Sequence, residues 1–366
     1  MTRARLRDLG ITLGSYPTGP HNAITDVPGV WVGQTTLIYD EPRIARTGVT
    51  LIVPREGKIW RDNAFAAYHA LNGCGEMTGM HWLTESGLLC YPIALTNTHQ
   101  VGTVHEALIA YGQENGLTDI SGLPVVAETW DGWLNDLDAF HIKKEHVYAA
   151  LADAKDGPVA EGCVGGGTGM ICHDFKGGIG TSSRVVTVPS GVFTIGALVQ
   201  ANHGDRALFR VDGAPVGKII DYNHTPNPFP DFPAPASASS SIIIVIATDA
   251  PLLPMQCKRL AQRAALGMAR VGGVGYNGSG DIFLAFATGN HLPDHQQTRF
   301  DLQMLPNHHM NEFFEAEAEV VEEAILNALT AAETMTGYRG RRVEALPLEA
   351  LKRVMGVSEI MSLRSK

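Results

Sequence analysis

Ser239-Ser240-Ser241-Ile242-Ile243-Ile244-Val245-Ile246-Ala247-Thr248 sets a cluster of hydroxyls directly against an unbroken apolar run. Continuous apolar character, rather than alternation, belongs to a strand covered on both faces. The segment before it, His224 to Ala238, carries Pro226, Pro228, Pro230, Pro233 and Pro235, which favour extended backbone and exclude a helix interior. The stretch therefore reads as an exposed connector feeding a central strand, with a serine at the strand's mouth. Two readings of that serine stand side by side: a plain linker-to-strand boundary, and a hydroxyl placed for chemistry.

Outward from this point, short apolar runs alternate with turn signals, as at Val49 to Val53, Gly191 to Val199 and Ile242 to Thr248, in a chain holding 40 glycines. Helical periodicity marks Asn63 to Asn72, Gly102 to Gly112, Leu253 to Val271 and Asn311 to Thr336, the last being the longest predicted helix. Strands and helices interleave without a strict βαβ rhythm, which predicts a mixed sheet layered with helices rather than a doubly wound parallel sheet. Because the strand after the connector is covered on both faces, it belongs to the same core as the residues before it. The break at His224 to Ser240 is then a surface loop within one domain spanning 1–366.

Composition removes several classes of function. The chain has 366 residues, 45% hydrophobic and 18% charged, with a net charge of -10, and its one tight basic group is Arg339, Arg341 and Arg342. That is not a nucleic-acid footprint, which needs clustered cations against phosphates. No apolar run approaches the roughly 20 residues that cross a bilayer. Met1 to Leu13 mixes Arg3, Arg5 and Arg7 with Leu6 and Leu9 and lacks the apolar stretch of a signal peptide, so the expected location is cytoplasmic. The five cysteines, Cys74, Cys90, Cys163, Cys172 and Cys257, form no C-x-x-C pair, and His99, His105, His173 and the adjacent His308 and His309 lack metal-binding helical spacing. Neither a disulfide framework, a metal nor a cofactor is expected.

Four segments carry side chains capable of chemistry. Gly273-Val274-Gly275-Tyr276-Asn277-Gly278 matches a dinucleotide fingerprint in letters, but it follows a helical stretch and precedes a strand, the reverse of the order required. Glu161 to Arg184, EGCVGGGTGMICHDFKGGIGTSSR, reads either as strands joined by glycine turns or as a wall rich in backbone N–H groups and hydroxyls. Asn277-Gly278-Ser279-Gly280-Asp281 precedes the apolar run Ile282 to Phe286, placing Ser279 and Asp281 on one face at a second strand mouth. Val125 to Asp136, VVAETWDGWLND, puts Glu128, Asp131 and Asp136 among Trp130 and Trp133, a mixture of acid and aromatic suited to a cationic ligand.

Taken together, these segments resemble the DmpA family of self-processing aminopeptidases, which takes in L-aminopeptidase/D-amidase-esterases and β-aminopeptidases of the BapA type. The resemblance runs nearly the full length. It rests on Asn22-Ala23-Ile24-Thr25-Asp26-Val27-Pro28-Gly29-Val30, Leu95-Thr96-Asn97-Thr98-His99, GGGTGM, KGGIGTSSR, Val199-Gln200-Ala201-Asn202, SIIIVIATDAPL from Ser241, and NGSGDIF. It implies an α+β fold, a four-layer αββα sandwich like that of amino-terminal nucleophile hydrolases with different connectivity, shared with ornithine acetyltransferases. It also implies self-cleavage between Ser240 and Ser241 into an α subunit, 1–240, and a β subunit, 241–366, and an assembly of several such αβ units.

By the same resemblance Ser241 is the nucleophile and its freed α-amino group the base, a role open to an amine with a pKa of about 7.7 to 8.0. Ser279 would orient the nucleophile, and Asp281, where relatives carry Glu, would fix Ser279 and hold the amine. Asn202 would donate to the oxyanion. Trp130 falls where a tyrosine is expected, and its indole N–H can donate but not accept. Glu128 is the candidate partner of the free amino terminus of a short peptide, amide or ester. Two rival readings remain at this level: an ornithine acetyltransferase-like acyltransferase, against which a serine rather than a threonine at 241 counts, and a non-enzymatic binding protein that stays whole.

Overall fold

The computed structural model describes residues 3–117, 122–230, 240–293 and 298–357. Its strands are β1 (Trp31–Tyr39), β2 (Ala45–Val53), β3 (Asp62–Gly73), β4 (Leu88–Leu89), β5 (Ile93–Asn97), β6 (Val125–Thr129), β7 (Ile171–Cys172), β8 (Phe175–Lys176), β9 (Gly178–Val188), β10 (Gly191–Asn202), β11 (Ser241–Thr248), β12 (Gly280–Pro293), β13 (Met335–Thr336) and β14 (Arg342–Val343). The helices are α1 (Met80–Ser86), α2 (Val101–Glu114), α3 (Lys144–Asp153), α4 (Val216–Ile219), α5 (Pro254–Arg270), α6 (Met310–Ala331) and α7 (Leu348–Val354).

A four-stranded sheet, β1-β2-β5-β6, lies against a six-stranded sheet, β4-β3-β12-β11-β10-β9. Helices α2 and α3 cover the outer face of the first sheet, and α5 and α6 that of the second, giving the expected αββα layers. The apolar run after Ser241 is β11, at the centre of the larger sheet. Ile242, Ile244 and Ile246 face the core under α5 and α6, while Ile243, Val245 and Ala247 face the core between the sheets. Each buried aliphatic side chain contributes about 1.5–3 kcal/mol, which is why the run has no polar break. Strands β11 and β12 are parallel and joined through α5, whereas β10 and β9 pair antiparallel.

Helix α6 is locked to β9 by close approach and by charge. A side chain at Gly180 would begin 1.9 Å from the Ala324 carbonyl oxygen, so only glycine lets the helix this close. The Arg184 guanidinium, fully buried, donates to Glu319 at 2.8 Å and Glu323 at 2.7 Å. Arg7 and Asn22 also donate to Glu323, at 2.7 and 2.6 Å, and the Asn22 Oδ1 accepts from the Ser183 N–H. Burial alone would push the Glu323 carboxyl up, but the two guanidiniums outweigh it and hold it below its ordinary value. Asn22 and the end of KGGIGTSSR are thus parts of the scaffold.

Two sequence expectations change. Asn63 to Asn72 is strand β3, not a helix: its alanine-rich, helix-like spacing yields to pairing along β12 and to packing under α5. The helix expected over Asn311 to Thr336 ends at Ala331, where Ala332 turns extended, and Met335–Thr336 pairs with β14. Residues 231–239 of the connector, with Pro233, Pro235 and Ser239, lie outside the described residues. Among the described residues no helix is long and apolar enough to cross a membrane.

Candidate active site

Three strand ends converge where β11 begins. Ser241, its first residue, is in register with Asn202, the last residue of β10, on one side and with Gly280, the first of β12, on the other. Ser279 immediately precedes β12, held by its N–H to the Tyr276 carbonyl at 2.8 Å. Its Oγ donates to Asp281 Oδ1 at 2.7 Å and accepts from the Ser240 hydroxyl at 3.2 Å, and the Ser240 carbonyl accepts from the Gly280 N–H at 3.2 Å. A continuous hydrogen-bonded chain therefore runs from the residue before Ser241 to a buried carboxylate. Ser240, Ser241, Asn202, Ser279 and Asp281 are all buried.

The carboxylate of Asp281 is only half satisfied. Its backbone N–H donates to Asn72 Oδ1 at 2.9 Å, Asn72 in turn donates to the Tyr276 carbonyl at 3.0 Å, and Oδ2 is buried without a hydrogen-bond partner. Burial pushes the Asp281 carboxyl up, against the lowering effect of the Ser279 hydroxyl and of the Asn72 side chain and the Ile242 N–H beside it. Asn202 Oδ1 accepts from the Ile171 N–H at 2.8 Å, which fixes the carboxamide so that its NH2 is the donor end.

The smaller sheet supplies the opposite wall. Glu128, in β6, is buried; its Oε2 accepts a very short hydrogen bond from Thr98, just past β5, and its Oε1 accepts from the Glu76 N–H at 3.0 Å. Burial pushes the Glu128 carboxyl up, moderated by these two donors. Residues Cys74 to Thr78 bridge the sheets: the Cys74 N–H donates to the Ser279 carbonyl at 3.2 Å and the Thr78 N–H to the Val126 carbonyl at 2.9 Å. Gln200 of β10 crosses between them as well, donating to the Thr96 carbonyl and the Thr129 hydroxyl at 2.8 and 2.9 Å. Gly166 of the glycine triplet lies in this seam, where a Cβ would fall 2.1 Å from Gln200 Oε1. The triplet therefore allows close backbone approach in this seam.

Between the walls is a pocket of about 160 Å³ lined by Cys74, Thr98, Glu128, Trp130, Ser240, Ser241 and Gly278. Larger hollows of about 360 Å³ beside Arg55 and His291 and about 330 Å³ beside Tyr68 and Lys258 also hold hydroxyls and carboxylates, but neither is lined by the strand-mouth serines Ser240 and Ser241, so the smaller space is the candidate site. The carboxylate of Glu128 can receive a cation, while the hydroxyl of Ser241 faces the same space. Asp131 is not a wall of this pocket. It is fully buried and accepts from Asn135 at 3.1 Å.

The residues that the resemblance marks, Ser240, Ser241, Ser279, Asp281, Asn202, Trp130 and Glu128, belong to this one neighbourhood, whereas of the other acids grouped with Glu128 in the sequence Asp131 is buried elsewhere and Asp136 accepts from Arg43 at 2.6 and 2.7 Å. The sequence left Cys74, Asn72 and the Gly280 N–H without a role. Reading β3 as a helix hid Asn72, because a helix would not deliver it beside Asp281. Thr98 stands in a quoted motif, yet only the fold brings it to Glu128.

The sequence profile of peptidase family S58 matches residues 22–343. "Beta-peptidyl aminopeptidase BapA" from Sphingosinicella microcystinivorans is 45% identical over 364 residues, covering 96% of this chain and 91% of that protein. Among solved structures, a Burkholderia sp. β-aminopeptidase superposes with a TM-score of 0.90 at 51% identity, over 96% of this chain and 98% of that one. The L-aminopeptidase D-Ala-esterase/amidase of Ochrobactrum anthropi, described as a new variant among the Ntn hydrolase fold, does so with a TM-score of 0.88 at 43% identity, over 97% and 99% of the two chains.

Proposed function

The chain belongs to peptidase family S58 and is an aminopeptidase of the Ntn-hydrolase type, and on that premise we propose that it cuts its own backbone between Ser240 and Ser241 and then works through the freed Ser241. In the first stage the Ser241 hydroxyl attacks the Ser240 carbonyl carbon. The C–N bond breaks, an ester forms, and water releases the Ser240 carboxylate and leaves Ser241 with both a hydroxyl and an α-amine. The Gly280 N–H on the Ser240 carbonyl supports polarisation of the bond being cut, and the Ser279–Asp281 pair supports removal of the proton.

In the second stage the neutral amine takes the hydroxyl proton as Ser241 attacks the substrate carbonyl and passes it to the leaving amine; water then hydrolyses the acyl-enzyme. A charged α-amine would supply the donor that Asp281 Oδ2 lacks. Asn202 donates to the oxyanion, a contribution worth roughly 2.7–4 kcal/mol for one such donor, and the Trp130 N–H is a second donor at the pocket wall. Glu128 pairs with the amino group of the substrate. The small pocket and its single carboxylate suit short peptides, amides or esters with a free amino terminus, and the names of the relatives at 45% and 51% identity favour β-amino acids at that end. No cofactor enters these steps. The working form is a cytoplasmic oligomer of αβ units, 1–240 and 241–366.

The observation that carries this reading is the hydrogen-bonded chain Ser240–Ser279–Asp281 at the mouth of β11, opposite Glu128. Intact mass under denaturing conditions tests it: wild type should give two masses matching 1–240 and 241–366, and Ser241→Ala one uncut mass. A wild type that stays whole while hydrolysing a β-peptide would refute self-cleavage as the source of the base.

A further inference from the structure

Three side chains that the hydrolytic steps leave unused meet behind Asn202. Cys172 ends β7, His173 begins the turn to β8, and His203 follows Asn202 at the end of β10; all three are buried. One donor atom of each lies within 4.8 Å of the other two, and Cys172 Sγ is 3.8 Å from His203 Nδ1. His173 Nδ1 is 3.0 Å from the Asp205 carbonyl oxygen. A carbonyl only accepts, so Nδ1 carries the proton and Nε2 presents a bare lone pair.

That Nε2 is buried with no hydrogen-bond partner, and so is Nε2 of His203. Both are exceptions to the rule that buried polar groups are paired. An imidazole anchored through Nδ1–H to a carbonyl, with Nε2 open, has the outer-shell arrangement usual for a metal ligand. The surroundings also hold the ligands in place. His173 and Asp174 both adopt left-handed backbone, φ 48° and 58°, a conformation costly for non-glycine residues. The turn is secured by the His173 N–H to the His203 carbonyl at 2.7 Å and by Asp174, which accepts from the Arg206 N–H at 3.0 Å and the Tyr222 hydroxyl at 2.7 Å. Phe209 lies against the His173 ring, 5.0 Å between centroids, and keeps the spot apolar.

We propose that Cys172, His173 and His203 form a buried three-coordinate site for the soft monovalent cation Cu+. Thiolate and imidazole together suit this ion. Loading converts Cys–SH and Cu+ into Cys–S–Cu and a released proton, with no change of oxidation state. One thiolate and one monovalent cation leave no net charge in the interior, whereas Zn2+ would leave a positive charge and call for a fourth ligand. The donors need to draw together by on the order of 1 Å to reach bonding distance. The bound ion would tie the β7–β8 hairpin to β10 beside Asn202, whose Oδ1 that hairpin already holds through Ile171. The assignment does not depend on the hydrolytic reading.

Because the cluster is buried, the ion must enter as the chain folds. The full-length chain is therefore expressed in copper-supplemented and, separately, zinc-supplemented medium, purified without oxygen, and its metal content measured by elemental mass spectrometry. The expected result is about one copper per chain, silent in electron paramagnetic resonance, falling at least tenfold in Cys172→Ser and in His203→Phe. His203→Phe keeps the aromatic volume and decides the matter if Cys172→Ser does not fold. Folded wild type with copper below about a tenth of an equivalent, zinc in its place, or copper retained in a folded ligand variant would each overturn the proposal.

Discussion

Ser279 has a hydroxyl on one side and a carboxylate on the other, the position that the proposed mechanism gives to a proton relay. Ser279→Ala should slow appearance of the two fragments and turnover of a peptide substrate by on the order of 10²-fold, the range of a lost proton-transfer group. Rates unchanged within error would make Ser279 a turn residue. In the proposed mechanism Glu128 serves substrate binding. Glu128→Gln should raise KM by roughly 10- to 100-fold, the worth of a hydrogen bond to a charged group, while self-cleavage proceeds. Equal damage to both would remove it from that role. Because burial pushes the Glu128 carboxyl up, KM of the wild type should begin to rise on acidification at a higher pH than an ordinary carboxylate would give, and Glu128→Gln should abolish that limb.

At the scale of elements, the fold depends on how β9 carries α6. Arg184 is shared between Glu319 and Glu323 with no exposure of its own side chain. Arg184→Met should cost about 3–5 kcal/mol, because it leaves two carboxylates buried without their shared cation. Urea unfolding in a Ser241→Ala background, which on the proposed function keeps the chain in one piece, reads this directly; a loss under about 1 kcal/mol would mean that Arg7 and Asn22 suffice. Loss of this clasp should also loosen β10 and Asn202 through the β9–β10 pairing, so it should slow self-cleavage in an otherwise native chain.

For the molecule as a whole, buried carboxyls set how stability responds to pH. Burial pushes Asp131 from 3.8 to about 7, and Glu161 from 4.5 to about 7 despite Arg5 beside it. The native state therefore holds protons that the unfolded chain has released. Stability from these groups is complete below about 4 and is lost as pH rises through about 7. Asp131→Asn, which cannot ionise, should flatten the decline in stability across that window in the Ser241→Ala background. A slope identical to that of the parent chain would show that Asp131 ionises no differently in the two states.

The amino-acid sequence by itself determined the central strand, the hydroxyls at two strand mouths and the candidate residues, because burial on both faces writes an unbroken apolar run and strand ends write glycine, serine and asparagine. It also carried the αββα class through its ordered motifs. The tertiary structure alone decided that Asn63 to Asn72 is a strand, since pairing along β12 overrides the helix preference of alanine. It alone decided that Asn22 serves the scaffold, that Asn72 meets Asp281, and that Thr98 meets Glu128. The Cys172–His173–His203 cluster was equally hidden, for its members come from the β7–β8 hairpin and from the end of β10, which belong to different sheets, and sequence spacing holds no record of how such elements pack together.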